Sequence, residues 1–567
     1  MNCGRKGERV ATARRQSGEA GPTALLVLAA LALCLFLLLP LGTLLLRSVL
    51  DESGQFSLAR FHAFATAPGM GEAVWNTLWV ALTVTFLVVP AAFLYAYALQ
   101  RSCIPLKGLW RTLGLSPLLG PSLIGAIALI QWFGTQGVLK AWLGGVSVYG
   151  APGIILGTVF ASFPHALMIL MVALGTMDAR LYEAADALGA SRWRKFCTVT
   201  LPAAKYGLVS AAMVVFAYSV SEFGIPKVIG GNFKVLAVEI YVQAVGQQNF
   251  GRGAVVALLL LIPVVLAFLV DRQMQKKQKA TLTARAVPYL PRSDWRRDLP
   301  LLAWTVLTAG AMLAVLGMAV YTSFITFWPY NLELSLNHYT YGLQEAGVLN
   351  AYINSVRMAA WTAICGAPFV FGAAYLLEKT GKPQSLLHSL IQGLASVPMG
   401  VPGLVLGIGY ILFFNHPDNP LNGLYQTLTI LVLVNVVHFY TSCHLTAITS
   451  LKSLDKEFEA VGASLKVSRL VTFWRVTLPV CMPAVLEIFR YLFINAMTTV
   501  SAVVFLYSPD TMPASVSILN LDEAGELGPA AAMASLIVAT TALYSLLHSV
   551  LSHFFLRKQQ AWRTLRR

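Results

Sequence analysis

The stretch "EAADALGASRWRKFCTVTLP", residues 183–202, is polar, basic and helix-forming, yet it lies between two long apolar stretches of the chain. A near-copy, "EAVGASLKVSRLVTFWRVTLP", occupies residues 459–479. In both copies Ala and Leu recur at helical spacing while Arg and Lys face elsewhere, which predicts a short amphipathic helix. One copy alone is compatible with a helix that merely connects two spans, whereas two copies favour a docking surface for a two-fold partner.

The rest of the chain is dominated by apolar segments. Of its 567 residues, 57% are hydrophobic and 12% are charged, which predicts an all-α polytopic membrane protein. A spanning helix needs roughly 20 apolar residues. About twelve segments reach this length, at 23–46, 74–99, 112–134, 151–175, 205–229, 253–270, 299–323, 353–377, 388–414, 424–449, 483–507 and 529–555.

The positive charge is distributed unevenly along the chain. Basic residues concentrate in the N-terminal tail, in residues 271–298 and after Arg557, whereas 324–352, 415–423 and 508–528 contain no Lys or Arg. This asymmetry predicts that both termini are cytoplasmic. The net charge of +16 therefore indicates topology and attraction to anionic lipid, rather than nucleic acid as a partner.

The two halves of the chain repeat each other at a spacing of about 277 to 281 residues. The matched positions are Asn76 with Asn354, Pro117 with Pro398, Pro121 with Pro402 and Phe196 with Phe473. Six spans in each half give both halves the same orientation, which predicts parallel repeats with a pathway at their interface. The predicted organisation is a first half over 1–270, a cytoplasmic linker over 271–298 and a second half over 299–567.

The pattern E-A-A-x-x-x-G, followed by x9-[IV]-x-L-P, resembles the cytoplasmic signature of permease subunits of binding-protein-dependent ABC importers. The residues that match it are Glu183, Ala184, Ala185, Gly189, Val199, Leu201 and Pro202. The resemblance implies the fold of a type I ABC importer permease. It also implies that segments 180–203 and 455–480 are coupling helices that insert into a separate cytoplasmic ATPase.

The second copy departs from this pattern. The residues that match are Glu459, Ala460, Leu478 and Pro479. Val461 replaces the second Ala, and alignment from the Leu-Pro end places Lys466 where Gly189 stands. Because Gly189 permits a tight turn, we expect the second helix to turn differently or to couple less strongly. Pro202 is expected to mark the boundary of the next helix.

No nucleotide-binding or catalytic pattern is present in the sequence. The chain lacks a G-x-x-x-x-G-K-[ST] loop, and its seven Cys show no metal-ligand spacing. We therefore expect that it is not an enzyme, binds no cofactor or metal, and relies on another chain for ATP hydrolysis. The resemblance implies two copies of an ABC ATPase and a periplasmic solute-binding protein as partners, in the bacterial inner membrane.

Ionisable and polar residues inside the spans are candidates for the transport pathway. Glu222 either lines a water-filled pathway or pairs with nearby Lys227. Thr498, Thr499 and Ser501 occupy the equivalent part of the eleventh span and offer hydroxyl donors, although packing between helices is the commoner use of such residues. His438, with Tyr440 and Thr441, either lines a cavity or is a hydrogen-bonded structural residue.

The substrate class rests on resemblance. The fused halves are similar to permeases of ferric-iron, thiamine and phosphonate importers. The stretches closest to permeases assigned to 2-aminoethylphosphonate are "FGIPKVIGG", "IYVQAVGQQNFGRGAVV", "FWPYNL", "VVHFYTS" and "NAMTTVSAVVFLYSPDT". The leading prediction is a 2-aminoethylphosphonate permease, with a ferric-iron or thiamine permease as alternatives. An ion-driven secondary transporter is a less favoured alternative, because it would be expected to hold paired intramembrane carboxylates, whereas Glu222 is nearly alone in the spans. A membrane-embedded enzyme is disfavoured because the sequence has no catalytic constellation.

Overall fold

The computed structural model describes residues 21–50, 54–281, 287, 289–342, 347–379, 385–454, 461–462 and 464–564. The contacts divide the chain into two compact units. The first-repeat unit contains Leu45–Tyr352 and Ala514–Val538, and the second-repeat unit contains Met1–Leu44, Ile353–Pro513 and Ala539–Arg567.

The described chain is mostly helical, which confirms the all-α fold class. The helices up to the predicted linker are α1 (Gly21–Val49), α2 (Ala59–Thr66), α3 (Met70–Arg101), α4 (Lys107–Gly114), α5 (Leu123–Phe133), α6 (Ala151–Gly175), α7 (Ala179–Ala187), α8 (Arg192–Ser221), α9 (Gly224–Ile229), α10 (Leu236–Gly246) and α11 (Phe250–Thr281). Those that follow are α12 (Trp295–Phe324), α13 (Val348–Lys379), α14 (Leu386–Gly400), α15 (Gly403–Phe414), α16 (Leu428–His438), α17 (Tyr440–Lys452), α18 (Arg469–Thr498), α19 (Ala514–Glu523) and α20 (Leu527–Thr564).

Nine helices of the described chain are long and apolar enough to cross a membrane, or eleven if two bent pairs each count as one span. The bent pairs are α14 with α15, at 113°, and α16 with α17, at 54°. Length and composition thus support a multi-pass membrane protein.

The third and ninth predicted spans are not continuous helices, so the prediction was wrong in that detail. The third is divided into α4, a 3₁₀ turn at Ser116–Leu119 and α5, and the ninth bends between α14 and α15. Each break contains a proline pair, Pro117 with Pro121 and Pro398 with Pro402. Proline lacks the N–H that a helix needs and restricts the residue before it. The two repeats therefore break at equivalent positions.

Pro202 was expected to mark the boundary of the next helix, and it does lie in the first turn of the α-helical segment Leu201–Ser221, although the helix as a whole is continuous from Arg192. Helix α8 runs from Arg192 to Ser221 and widens into a π-helical turn at Phe196–Thr200, immediately before Leu201 and Pro202. The second repeat has the same turn at Phe473–Thr477, within α18. The wider turn changes the hydrogen-bond pattern, and this lets the helix pass through a residue that has no N–H to donate.

The repeat boundary and the compact units divide the chain differently, because the first helices of the repeats are exchanged. Most of α1 belongs to the second-repeat unit, where the Tyr410 hydroxyl donates to the carbonyl of Phe36 (2.6 Å). Helix α12 belongs to the first-repeat unit, where Trp304 Nε1 donates to the carbonyl of Ala91 (3.3 Å). The division at 271–298 thus remains a prediction about the sequence repeat.

Helix α6 is largely buried within the first-repeat unit, and its buried side chains include Phe163, Leu167 and Leu170. It packs against α3 and α8. The contact with α8 is close, since a Cβ placed on Gly207 would lie 2.3 Å from the Cβ of Ala173. Small residues allow helix backbones to approach in this way inside membranes. The predicted coupling segment follows α6 directly, so it is attached to a long helix that is largely buried inside the unit.

The segment after α12, predicted as a loop, holds the one sheet of the described chain. It is a hairpin of β1 (Ile325–Phe327) and β2 (Asn331–Leu334) in antiparallel register, with Ile325 opposite Leu334. The Phe327 and Leu334 side chains are exposed while Ile325 is buried. Two strands this short do not alter the fold class.

Candidate coupling segments and intramembrane polar residues

The first candidate coupling segment begins with a capped helix. Asp178 is the N-cap of α7, and its carboxylate accepts a hydrogen bond from the backbone N–H of Arg180 (3.1 Å). That N–H donor is the main reason why the pKa of Asp178 lies below its usual value. A cap of this kind satisfies an N–H group that the first turn of a helix leaves unpaired.

The segment ends in a tight turn at Gly189. The N–H of Leu188 donates to Ala184 (3.1 Å), and the N–H of Ala190 donates back to the carbonyl of Ala185 (3.0 Å). Gly189 itself has φ +67°, in the left-handed region. Glycine adopts this conformation without a Cβ penalty, and it commonly terminates helices in this way. The sequence prediction of a tight turn at Gly189 is confirmed.

One face of α7 packs against the protein and the other is open. Tyr182 and Ala185 are buried, and the Tyr182 hydroxyl lies 2.9 Å from Oγ1 of the buried Thr200. Glu183 and Ala184 are exposed on the other face, and Leu188 is 86% exposed at the end of the helix. An exposed leucine beside small and acidic residues is a surface that a protein partner can cover.

The second segment has the same backbone where the structure describes it. The N–H of Leu465 donates to Val461 (2.9 Å), and the N–H of Val467 donates back to Gly462 (2.9 Å). Lys466 has φ +56°, a left-handed conformation that non-glycine residues rarely adopt. Lys466 therefore occupies the position of Gly189, as alignment from the Leu-Pro end predicted, and it makes the same turn rather than a different one.

This register changes how the two signatures align. With Lys466 opposite Gly189, Ala460 falls opposite Glu183 in the sequence, and Glu459 falls opposite Tyr182. Glu459 and Ala460 lie outside the described residues. The coupling roles of both segments remain predictions, and the shared backbone of the two turns supports their equivalence.

The Leu-Pro pairs also occupy equivalent places. Leu201 and Pro202 follow the π-helical turn of α8, and Leu478 and Pro479 follow that of α18. The pairs therefore lie at the start of a membrane span, one π turn beyond the capped beginning of each helix. The Leu-Pro pairs therefore belong to the long helices α8 and α18 that follow the candidate coupling segments, and they do not lie on the exposed face of α7.

Glu222 is buried just after α8 and is hydrogen-bonded. Its Oε1 accepts from the hydroxyl of Ser122 (2.7 Å) and from the backbone N–H of Ile225 (3.3 Å). The predicted pair with Lys227 is wrong, because Lys227 instead forms an ion pair with Glu523 (2.7 Å). The role of Glu222 in a pathway stays a prediction, and its observed contacts join the break in the third predicted span to α9.

Sequence reasoning missed the partner of Lys227, since Glu523 is nearly three hundred residues away in the chain. Lys227 also lies over the ring of Tyr241, with its Nζ 5.0 Å from the ring centroid. Beside this pair, burial and the charge of Glu523 raise the pKa of Asp522 to about 6, while Lys227 lowers it. No pattern in the local sequence indicates which side chains meet here.

The predicted hydroxyl residues lie at the end of α18, in the second-repeat unit. Thr498 Oγ1 donates to the carbonyl of Ile494 (3.0 Å), and Thr499 is the extended residue that ends the helix. Ser501 packs closely on Gly403, where an added Cβ would lie 2.4 Å from its Oγ. Thr498 and Ser501 thus show the packing use of small polar residues, and a pathway role for all three stays a prediction.

The bend between α16 and α17 contains buried polar groups. Among the described residues, no hydrogen-bond partner reaches Nδ1 of His438, the hydroxyl of Tyr440 or the hydroxyl of Thr441. The interpretation of His438 as a hydrogen-bonded structural residue is therefore not supported at that nitrogen. Across all the residues that the structure describes, no group of three or more His, Cys, Asp or Glu is placed to hold a metal ion.

Comparison with known proteins identifies the family. The model of the family described as "Binding-protein-dependent transport system inner membrane component" matches residues 106–279 and 369–556. The chain is 30% identical to the ferric transport system permease protein FbpB of Actinobacillus pleuropneumoniae over 474 residues, which are 80% of this chain and 67% of that protein. It is 24% identical to the Fe(3+)-transport system permease protein FbpB 2 of Haemophilus influenzae, covering 88% of this chain and 91% of the relative.

A further relative has the length of one repeat. The sulfate transport system permease protein CysT of Escherichia coli is 28% identical over 248 residues, which are 42% of this chain and 88% of that protein. The fold and the duplicated segments define a multi-pass transport permease in which two permease repeats are fused. The chain belongs to the family of binding-protein-dependent transport system inner membrane components.

Proposed function

We propose that this chain is the transmembrane permease subunit of an ATP-driven importer. In this proposal a periplasmic binding protein delivers a small solute, and a cytoplasmic ABC ATPase in two copies supplies the energy. Both termini lie in the cytoplasm, as the distribution of Lys and Arg predicts. The chain itself binds no nucleotide or other cofactor and is not an enzyme.

The duplicated coupling turn is the observation that carries this proposal. Gly189 and Lys466, at equivalent positions of two repeats, are both left-handed, and each is enclosed by the same pair of backbone hydrogen bonds. A residue such as lysine adopts this conformation at a cost of roughly 1–2 kcal/mol. Two equivalent surfaces suit a partner that is present twice. Closure of two ATPase copies would move both segments together and switch the permease between inward-open and outward-open states.

Reconstitution tests the assignment of energy coupling. The purified chain should not bind ATP at micromolar concentration, since its sequence lacks a phosphate-cradling loop. With its ATPase in proteoliposomes, it should show ATP hydrolysis that the loaded binding protein stimulates. Specific nucleotide binding by the isolated permease, or solute uptake driven by an ion gradient without ATPase, would contradict the proposal and favour a secondary transporter.

The substrate has two candidates with equal support. Sequence stretches such as 223–231 and 495–511 favour 2-aminoethylphosphonate, whereas similarity to two ferric transport permeases favours ferric iron. Uptake of labelled 2-aminoethylphosphonate and of labelled ferric iron, by a deletion strain and the same strain complemented with this chain, separates them. The cargo is the substrate whose uptake is lost in the deletion strain and restored by complementation. Thiamine is tested in the same way as the third candidate.

Glu222 is proposed to contribute to the pathway beyond its structural contacts. Replacement by Gln keeps an acceptor for Ser122 and for the N–H of Ile225 while it removes the charge. If the charge acts on a cationic part of the substrate, Glu222→Gln should raise the KM for uptake with unchanged protein amount in the membrane. Ser122→Ala is the matched control, because it removes the hydrogen bond and leaves the carboxylate.

A further inference from the structure

The predicted linker contacts the first coupling segment through its backbone. The N–H of Ala179 donates to the carbonyl of Val287 (2.9 Å), and the N–H of Val287 donates to Oδ1 of Asp178 (3.3 Å). The same carboxylate oxygen caps α7. The first turn of the coupling helix and the linker therefore share an acceptor, and the amide of Ala179 depends on the linker for its partner.

An ion pair joins the linker to the helix that follows the segment. Arg192 Nη2 lies 2.7 Å from Oδ2 of Asp294, and the Asp294 side chain is only 21% exposed. Asp294 is also the N-cap of α12, where it accepts from the N–H of Arg296 (3.3 Å). The carboxylate that begins α12 thus also binds the first residue of α8.

Aromatic rings form a third contact. The ring of Tyr289, in the linker, lies 4.7 Å from that of Tyr182, on the buried face of α7. The guanidinium of Arg101 lies over both rings, at 4.9 Å from Tyr182 and 4.6 Å from Tyr289. Arg101 is itself held by a hydrogen bond to the carbonyl of Leu174 (2.7 Å), at the end of α6. Stacking of a cation on two rings adds to the contact.

We infer that the linker is a clasp that fixes the orientation of the first coupling segment. The clasp is defined here as Asp178 with Val287, Tyr182 with Tyr289, and Arg192 with Asp294. These three pairs contact the start of α7, its middle and the start of α8, and they join all three to linker residues that precede α12. A nine-residue helix is marginally stable by itself. Binding of a partner to α7 can therefore move the spans only if other contacts keep α7 folded and fixed in orientation.

The second segment provides the comparison. Arg469 stands at the position equivalent to Arg192, is exposed, and forms no ion pair within the part of the chain that the structure describes. The inference rests on the proposed coupling function. It adds the claim that contacts with the linker make the first segment less mobile than the second. The clasp residues are positioning residues, since they act on the partner only through α7.

Hydrogen exchange on the full transporter, reconstituted with its ATPase, tests the clasp directly. In the double variant Tyr289→Ala/Asp294→Asn, the α7 amides should exchange about tenfold faster, with the Ala179 amide affected most. Asn at 294 keeps the helix cap, so the effect does not come from loss of α12. Arg192→Gln alone should accelerate exchange roughly two- to fivefold, Arg192→Lys should restore most of the protection, and Arg469→Gln should change α7 exchange less than about twofold.

Energetic coupling is the second readout. In the double variant the ATP hydrolysed per solute transported should rise at least about threefold, because a mobile α7 lets the ATPase close without moving the spans. The control variant Arg469→Gln should raise this ratio much less. Unchanged exchange in the double variant, or faster exchange with an unchanged ratio, would overturn the inference. Failure of the proposed function has a different result, since wild-type chain would then show neither association with the ATPase nor stimulated hydrolysis.

Discussion

The two candidate coupling segments share the backbone of their turns, where the structure describes both, and they differ in their side chains. Both end in a left-handed residue, Gly189 in the first and Lys466 in the second, with equivalent hydrogen bonds around it. Both lead into a helix capped by a serine, Ser191 or Ser468, and then into a π-helical turn. The residues that match the family pattern are nevertheless fewer in the second. Geometry is therefore retained where the consensus residues are lost, because turn and cap hydrogen bonds define it.

The largest expected effect is that of charge reversal on the exposed face of α7. Glu183→Lys should lower ATPase association and uptake at least about tenfold, whereas Glu459→Lys should lower them less. The reason is that the shared turn places Ala460, not Glu459, opposite Glu183. Pull-down of the ATPase and uptake by the same vesicles measure both variants, with equal membrane insertion as the control. Equal loss in both variants would mean that the two turns do not define the alignment.

The repeats also differ in the acidic side chains at the end of one helix. Helix α19 ends with Asp522 and Glu523, whereas α10 contains no acidic residue after Glu239. Burial raises the pKa of Asp522 to about 6, so the folded protein binds this proton more tightly than the unfolded chain does. Stability from this group is present at low pH and is lost as pH rises from about 4 through about 6.

Asp522→Asn should therefore raise stability at pH 7.5 by at most about 2 kcal/mol, a figure that solvent screening reduces. The gain should shrink as the pH falls through 6 and vanish near pH 4, where Asp522 is itself neutral. Thermal unfolding in detergent across this range measures it. Ala244→Asp introduces a carboxyl at a buried position of α10, and it should be destabilising in the neutral range. A gain from Asp522→Asn that does not depend on pH would contradict the argument.

Exchanging the turn residues distinguishes backbone strain from contact. No atom lies within 4 Å of a Cβ placed on Gly189, so Gly189→Ala should cost only the strain of a left-handed residue, roughly 1–2 kcal/mol. Lys466→Gly should instead stabilise its turn by about 0.5–1 kcal/mol, because the freedom that Gly has in the open state offsets part of the relief. Hydrogen exchange of the Ala190 and Val467 amides measures the two turns separately. Lys466→Ala keeps the strain and should leave exchange unchanged.

Much of this architecture was predictable, since the apolar length of the helices and the repeat depend on composition and spacing alone. The turn at Gly189 and the match of Lys466 to it were also within reach, because glycine and the Leu-Pro pair fix the register. The π-helical turn before Pro202 was not, since local hydrogen bonding overrides the usual effect of proline. The pairing of Lys227 with Glu523 was not either, because residues that far apart in the chain meet only through the fold.

The smallest expected effect concerns the buried face of α7, where the two repeats differ in sequence. The Tyr182 hydroxyl lies 2.9 Å from Oγ1 of Thr200, and the residue opposite Tyr182 in the sequence of the second repeat is Glu459, so only the first repeat can pair a tyrosine hydroxyl with this threonine. Tyr182→Phe should destabilise α7 by about 1 kcal/mol, toward the lower end for a buried hydrogen bond. The cost is low because Thr200 can turn its hydroxyl to the carbonyl one helical turn earlier.

A double-mutant cycle with Thr200→Val separates this bond from packing, with α7 amide exchange as the measure. The two single variants should each accelerate exchange several-fold, and the double variant should be little worse than either. Fully additive effects would mean that the two hydroxyls do not interact, and the buried face of α7 would then be held by Tyr289 and Arg101 instead.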